Sequence, residues 1–240
     1  KLPDSSILAM LIWQTEIGIE SQRRFCKFFV GLSHSRFNRR ARMLLPLIRC
    51  IRQAWNQEVK TAGEFLIIDS FPVPVCQPVR NYRVKIFRGV ADIGYKATKK
   101  VYYYGFKVHA IVSDDGYLLN YAVTKASVHD AKETVELMID AHPANHYLLG
   151  DEGYLGKNLA TNLKRMGYVL WMPYRKTMQG ARRHNDHQLM AIRRSIESDF
   201  SLLSYYNAEN NRARSPVGFQ QRLEIAILAY NMAYCLERFN

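Results

Sequence analysis

Cysteine is scarce in this chain and scattered along it. The 240 residues hold four, Cys26, Cys50, Cys76 and Cys235, and no two are spaced as a CxxC pair. They read as reduced thiols of a cytoplasmic protein rather than as a disulfide framework. No apolar run reaches the roughly 18 residues that a membrane-spanning helix needs, so neither a membrane span nor a signal peptide is expected. The first residue is Lys1, not Met, so some N-terminal sequence is expected to be missing. Internal repeats and low-complexity tracts are absent too. Acidic residues are in deficit, 21 against 34 Lys and Arg, leaving a formal charge of +13 and a pI near 9.7. That excess calls for a polyanionic partner, either nucleic acid or an anionic membrane surface. Disorder is excluded by composition: 48% of residues are hydrophobic and 23% charged, enough apolar material for a packed core.

The positive charge is concentrated. Residues 1–60 hold eleven basic against four acidic residues, and residues 76–100 hold seven against one. Two such blocks argue for a docking surface better than an even spread would. The first block falls on helical patterns. Pro3-Asp4-Ser5-Ser6 is a start signal followed by Ile7, Leu8, Leu11 and Ile12, and a second helix is expected over about residues 20–30. Phe37, Ala41, Leu44, Ile48, Ile51 and Trp55 then form an apolar stripe, with Arg39, Arg42, Arg49 and Arg52 largely off it. Pro46 should kink or split that helix. Short helices ending in an Arg-rich one fit a helix-turn-helix-like DNA reader with Arg39 and Arg42 at the DNA. A plain amphipathic bundle with a solvated basic face fits as well.

From residue 61 the pattern is that of a second domain. Glu64-Phe65-Leu66-Ile67-Ile68-Asp69 is a short apolar run ending in an acid, a buried strand. Residues 76–100 are basic and poor in strand signals, so they read as a loop insertion. Residues 101–112 are rich in β-formers, Asp115-Gly116 is a hairpin turn signal, and 118–123 supply the return strand. Ser127 to Asp130 resembles a capping box for a helix reaching about residue 140. Tyr147-Leu148-Leu149-Gly150-Asp151 is another apolar strand ending in an acid, followed by a helix marked by Leu155, Leu159, Leu163 and Met166. Residues 168–172 form the next strand and 174–185 a polar, basic loop. Leu189, Ile192, Ile196, Phe200 and Leu203 mark one late helix. Phe219, Leu223, Ile227, Tyr230 and Tyr234 mark the last, over about 216–237. This order specifies an α/β fold with a mixed sheet.

Two of these strands end in an aspartate. In α/β sheets, side chains just past the carboxyl ends of strands line the functional crevice. If the strands are neighbours, Asp69 and Asp151 sit side by side, and two close carboxylates repel unless they share a proton or a cation. Hard divalent ions prefer such oxygen ligands, and two of them about 3.5–4 Å apart can clamp both oxygens of a phosphodiester displacement. Glu197 is the best third acid, since it follows Ile196 on the apolar stripe and borders the core-facing side. Arg193, one turn earlier, could orient it or a phosphate. Each acid also has an ordinary reading: a turn former or helix cap for either Asp, an exposed Arg193–Glu197 pair for Glu197. Glu152 should point away from Asp151, its chain neighbour, and Asp130 reads as helix-start chemistry.

Together these segments resemble the DDE transposases of bacterial insertion sequences, over essentially the whole chain. The likeness is carried by residues 67–76, by Tyr104-Gly105-Phe106-Lys107-Val108-His109, by Gly150-Asp151-Glu152-Gly153-Tyr154 and by Arg193-Arg194-Ser195-Ile196-Glu197. A first Asp on a strand, a GDxGY second Asp and an RxxxE helix are specific in combination. The resemblance implies an RNase H-like mixed sheet flanked by helices, after an all-helical DNA-binding region at 1–60. It implies catalysis by Asp69, Asp151 and Glu197 holding two Mg²⁺ or Mn²⁺ ions. It implies water-driven cutting at the element's ends, attack of the freed 3′-hydroxyl on target DNA, and no covalent enzyme–DNA intermediate. The implied partners are double-stranded DNA and a second copy on that DNA, with no membrane, in the bacterial cytoplasm at the nucleoid. Some members carry a Tyr three residues before the Arg and a basic residue seven after the Glu. Met190 and Ser204 stand there in this chain, so Arg175, Lys176, Arg212 or Arg214 would have to supply that phosphate clamp.

Further DNA contacts are expected from Arg80, Arg83, Lys85, Arg88, Lys99 and Lys100 of the basic block, and from Arg175 and Arg193. Such contacts set affinity and register without reading sequence. Lys107 and His109 alternate on one strand and so share a side of the sheet, where His109 could approach phosphate or order a carboxylate. Two alternatives remain open: an RNase H-like nuclease or resolvase that cuts without joining, and an inactive DNA-binding regulator.

Overall fold

The computed structural model describes residues 2–59, 63–141, 147–154 and 157–239. The domain boundary expected at residues 60–61, and Leu155 of the helix stripe, lie outside them.

Four helices come first: α1 (Asp4–Glu16), α2 (Gln22–Phe29), α3 (His34–Met43) and α4 (Leu45–Glu58). Ser21 caps α2, its hydroxyl accepting the Arg24 N–H. Pro46 splits the long stripe into α3 and α4, as the sequence predicts. It stands in the first turn of α4, where its missing N–H leaves no hydrogen bond unmade. Ile7, Leu11, Phe25, Phe37, Ala41 and Ile48 pack together over these helices.

Six strands form one mixed sheet: β1 (Phe65–Pro74), β2 (Asp92–Lys96), β3 (Val101–Ser113), β4 (Leu118–Lys125), β5 (Tyr147–Leu149) and β6 (Val169–Trp171). The long β3 pairs antiparallel with β1 along one side. Its other side is shared, β2 pairing with residues 101–105 and β4 with residues 106–112. Beyond β1 lie β5 and β6, both parallel to it. One correction concerns residues 92–96, expected as part of a loop insertion. They form an edge strand, because β3 supplies the hydrogen-bond ladder that their own sequence does not advertise. Gly94 is required there: a Cβ would come within 2.5 Å of the Ala126 carbonyl oxygen.

Five further α-helices lie among the described residues: α5 (Asp130–Ala141), α6 (Lys157–Arg165), the short α7 (Ala181–His184) inside the expected basic loop, α8 (His187–Tyr205) and α9 (Pro216–Phe239). Ser127, expected to cap the helix, is engaged with β2. Its N–H and hydroxyl both donate to the Asp92 carboxylate, tying the start of α5 to β2. α5 and α6 cover one face of the sheet, with Leu66, Ile68, Ile111, Leu137, Leu148 and Leu163 in the core between. α8 and α9 cover the other, around Ile67, Phe71, Val108, Ala110, Ile196, Leu223 and Ile227. α9 is buried on more than one side. Ile225 and Leu228 turn to the N-terminal helices, while Leu223, Ile227 and Tyr230 turn to the sheet. No described helix is long and apolar enough to cross a membrane.

Candidate active site

Strand alternation decides where the first acid points. Ile67, Phe71 and Val73 face the α8–α9 layer, so Asp69, which shares their parity, faces it too. The parallel register pairs Leu66 with Leu148 and Ile67 with Leu149. Continued two residues, it brings Asp69 level with Asp151, which sits in the turn after β5. Each carboxylate is fixed by the next residue's N–H: Ser70 donates to Asp69 Oδ1 at 2.8 Å and Glu152 to Asp151 Oδ1 at 2.6 Å.

The third element is α8. Asp186 caps its start, accepting from the Gln188 and Leu189 N–H groups, and the fully buried Ile196 and Leu203 anchor it to the sheet. This registration drops Arg193 between the acids. Its Nη2 donates to Asp69 Oδ2 at 2.9 Å and lies 3.6 Å from Asp151 Oδ2, while Nη1 lies 3.8 Å from Glu197 Oε1. The three expected acids thus surround one guanidinium. They do not share its burial: Glu197 has 68% of its side chain exposed, against 20% for Asp69. Among the described residues, no three His, Cys, Asp or Glu side chains gather closely enough to hold a metal ion. Glu152 turns away, as predicted, toward Arg175 at 3.6 Å.

Burial pushes the Asp69 carboxyl up to about 6, against the lowering effect of Arg193 and the Ser70 N–H; Asp151 and Asp130 add to the rise. The folded chain therefore holds a proton on Asp69 at pH values where the unfolded chain has released it. Stability from this group is lost as pH rises from about 4 through 6. Asp69→Asn removes that cost. In EDTA at pH 7.5 it should be more stable than the natural chain by about 1–2 kcal/mol, the loss of Arg193's partner trimming the gain. Thermal melts should show the difference closing near pH 4; a less stable variant at pH 7.5 would refute the assignment of strain to this carboxylate.

Behind Asp69, on the α5 side of the sheet, lies a group whose members the sequence did not join together. The Ser70 hydroxyl donates to Asp130 Oδ1 at 2.8 Å, and Lys107 Nζ reaches the same oxygen at 3.1 Å and the Val128 carbonyl at 2.8 Å. Ser70 thus links Asp69 to Asp130. Asp130 does begin a helix, as read, and that local signal masked its second role.

Lys107 and His109 share a side, as alternation predicts, but it is this α5 side and not that of Asp69. His109 is fully buried, its Nε2 at 2.9 Å from Thr124 Oγ1, and burial lowers its pKa despite Asp130 nearby. The expected approach of His109 to phosphate is corrected accordingly, since the ring has no exposed surface; its Nδ1 lies instead 3.6 Å from the Asp130 carboxylate. Lys107 is spent on Asp130 and Val128. Of the other basic residues expected at DNA, Arg193 is 15% exposed and turned to the acids, while Arg39 and Arg42 on α3, Arg80, Arg83, Lys85, Arg88, Lys99 and Lys100 around β2, and Arg175 after β6 are all exposed.

Residues 60–232 match the family model described as Transposase DDE domain. No curated protein matches the chain. Among solved structures, the piggyBac transposase synaptic complex with hairpin DNA aligns with the whole chain and 68% of its own, at 13% identity and a TM-score of 0.52. A pre-cleavage Mos1 transpososome aligns with 97% of this chain and 79% of its own, at 9% identity and a TM-score of 0.31. The catalytic domain of Mos1 mariner transposase aligns with 82% of this chain and 94% of its own, at 8% identity and a TM-score of 0.31. The piggyBac likeness is one of fold: an RNase H-like mixed sheet flanked by helices.

Proposed function

Because this chain belongs to the DDE transposase family, we propose that it cuts DNA at the ends of an insertion sequence and joins them to target DNA. The observation that carries the assignment of residues is the convergence of Asp69 and Asp151, from neighbouring parallel strands, on one cationic nitrogen. That donor set suits a hard divalent cation: two carboxylate oxygens already attend a positive charge. Asp69 and Asp151 would hold Mg²⁺ or Mn²⁺, with Glu197 at the rim as the third ligand. Bound ions would supply Lewis acidity and lower the pKa of water at the scissile phosphate.

The chain's own residues do the rest. The Ser70 and Glu152 N–H groups hold the two aspartates in place. Asp130, itself paired with Lys107, accepts the Ser70 hydroxyl from behind. Arg39 and Arg42, the exposed basic residues of 80–100 and Arg175 offer charge for the phosphate backbone, and two copies on DNA would bring two ends together. The region 1–60 is the helical DNA-contacting part and 61–240 the catalytic part of this reading.

The test is an incubation with duplex DNA from the element's ends plus a supercoiled target, in Mn²⁺ or Mg²⁺ and in EDTA. Expected are ion-dependent nicks leaving 3′-hydroxyls, followed by joined products. Cleavage without joining would favour a nuclease, and binding in EDTA with no ion-dependent cutting would point to a regulator.

A further inference from the structure

Resting on the reading of Asp69 and Asp151 as ion ligands, we propose that Arg193 is a built-in counter-cation of the metal-free site, which a divalent ion must displace in order to bind.

The geometry carries this. Nη2 of Arg193 lies 2.9 Å from Asp69 Oδ2 and 3.6 Å from Asp151 Oδ2, so it occupies the same two oxygens that an ion would take. An ion on those oxygens would stand within a few ångströms of the guanidinium, and like charges that close repel, the more so beside the mostly buried Asp69. The side chain is 15% exposed, and its Nε is buried without a hydrogen-bond partner. The ion pairs of its head all run to these three acids, the groups whose charge an ion would take over.

The spacing of the acids agrees. The absence of a ready three-ligand cluster among the described residues goes with a guanidinium standing between Asp69, Asp151 and Glu197. A planar fork of donors sets its acceptors farther apart than an ion does, because a carboxylate oxygen lies about 2.7–2.9 Å from a guanidinium nitrogen but about 2.0–2.1 Å from Mg²⁺. In the DNA-free protein the two aspartates then face Arg193 until an ion takes its place, and ion binding is a replacement of one cation by another. The observed affinity for an ion is then reduced by the fraction of molecules in which Arg193 sits in place.

Mn²⁺ binding to the DNA-free protein, read from the free-ion signal in electron paramagnetic resonance, tests this without any cleavage. Arg193→Gln should bind Mn²⁺ at least about fivefold more tightly than the natural chain, the scale of a modest coupling between two sites. Equal or weaker binding would overturn the proposal. Asp69→Asn is the control for the underlying reading. If it leaves Mn²⁺ binding unchanged, the two-aspartate ion site fails and this inference with it. If it weakens binding while Arg193→Gln does not strengthen it, the inference alone fails. A second measurement uses the natural protein: the Arg193 Nε–Hε resonance, assigned by its loss in Arg193→Gln, should shift on saturation with diamagnetic Mg²⁺. A resonance that stays in place would also overturn the displacement.

Discussion

Asp69→Asn and Asp151→Asn should each lower the rate of end cleavage by about a thousandfold, while DNA binding in EDTA stays within about twofold of the natural chain. Removing one preorganised electrostatic group from a reacting centre costs about 10²–10³ in rate. Asparagine keeps the shape of each side chain and an oxygen to accept from Ser70 or Glu152, so the turn geometry survives. What goes is the charge. On the proposed reading the two residues act on one ion, in keeping with their shared approach to Arg193 Nη2, so their losses should not multiply. The double variant should be about as slow as either single one. Single-turnover cleavage of labelled end DNA measures all three. A single variant retaining more than about a tenth of the natural rate would remove that residue from the site, and losses that multiply would show two independent contributions. Glu197→Gln is the more informative third variant, because Glu197 is mostly exposed and touches the group only through Arg193 at 3.8 Å.

The positions of the two aspartates were legible because each rests on a local signal, an apolar run that ends in an acid. Parallel pairing of β1 with β5 then converts the 82-residue separation of Asp69 and Asp151 directly into spatial adjacency. Glu197 was legible more by likeness than by pattern, since helix periodicity left it at the edge of the buried face, where the structure finds it exposed. Arg193 read as one half of an i,i+4 pair with Glu197. Its bond to Asp69 spans 124 residues and depends on how α8 docks, which no local pattern encodes. Parity told that Lys107 and His109 share a side of β3 but not which layer that side meets. Strand β2 was missed for a related reason: Asp92-Ile93-Gly94-Tyr95-Lys96 is a strand because β3 pairs with it. The last helix was read with one inward face, and the structure gives it more. Ile225 and Leu228 join a core that the first four helices cannot close by themselves.

That second face of α9 leads to the other large effect, at Glu224. It is 1% exposed and takes Arg52 Nε at 2.8 Å and Arg49 Nε at 3.2 Å, so two residues of α4 are tied to α9 through one carboxylate. Arg52 is itself buried and also lies over the Tyr121 ring of β4, 5.2 Å from its centroid. Glu224→Ala would leave the Arg52 guanidinium in the interior with an aromatic face and no counter-charge. Removing one partner of a buried pair costs about 3–5 kcal/mol, because the remaining charge is stranded. The natural pair need not be worth that much, since its attraction is largely offset by the desolvation of both groups. Arg52→Leu with Glu224→Leu should therefore recover most of the loss. Urea unfolding followed by far-UV circular dichroism and by Trp fluorescence tests both points. Trp13 and Trp55 report on the N-terminal helices and Trp171 on β6, and the shared packing around α9 predicts one coincident transition. A Glu224→Ala variant within about 1 kcal/mol of the natural chain would show that water or rearrangement reaches Arg52. A double variant no more stable than Glu224→Ala would show that the ion pair, and not the stranded charge, holds α4 to α9.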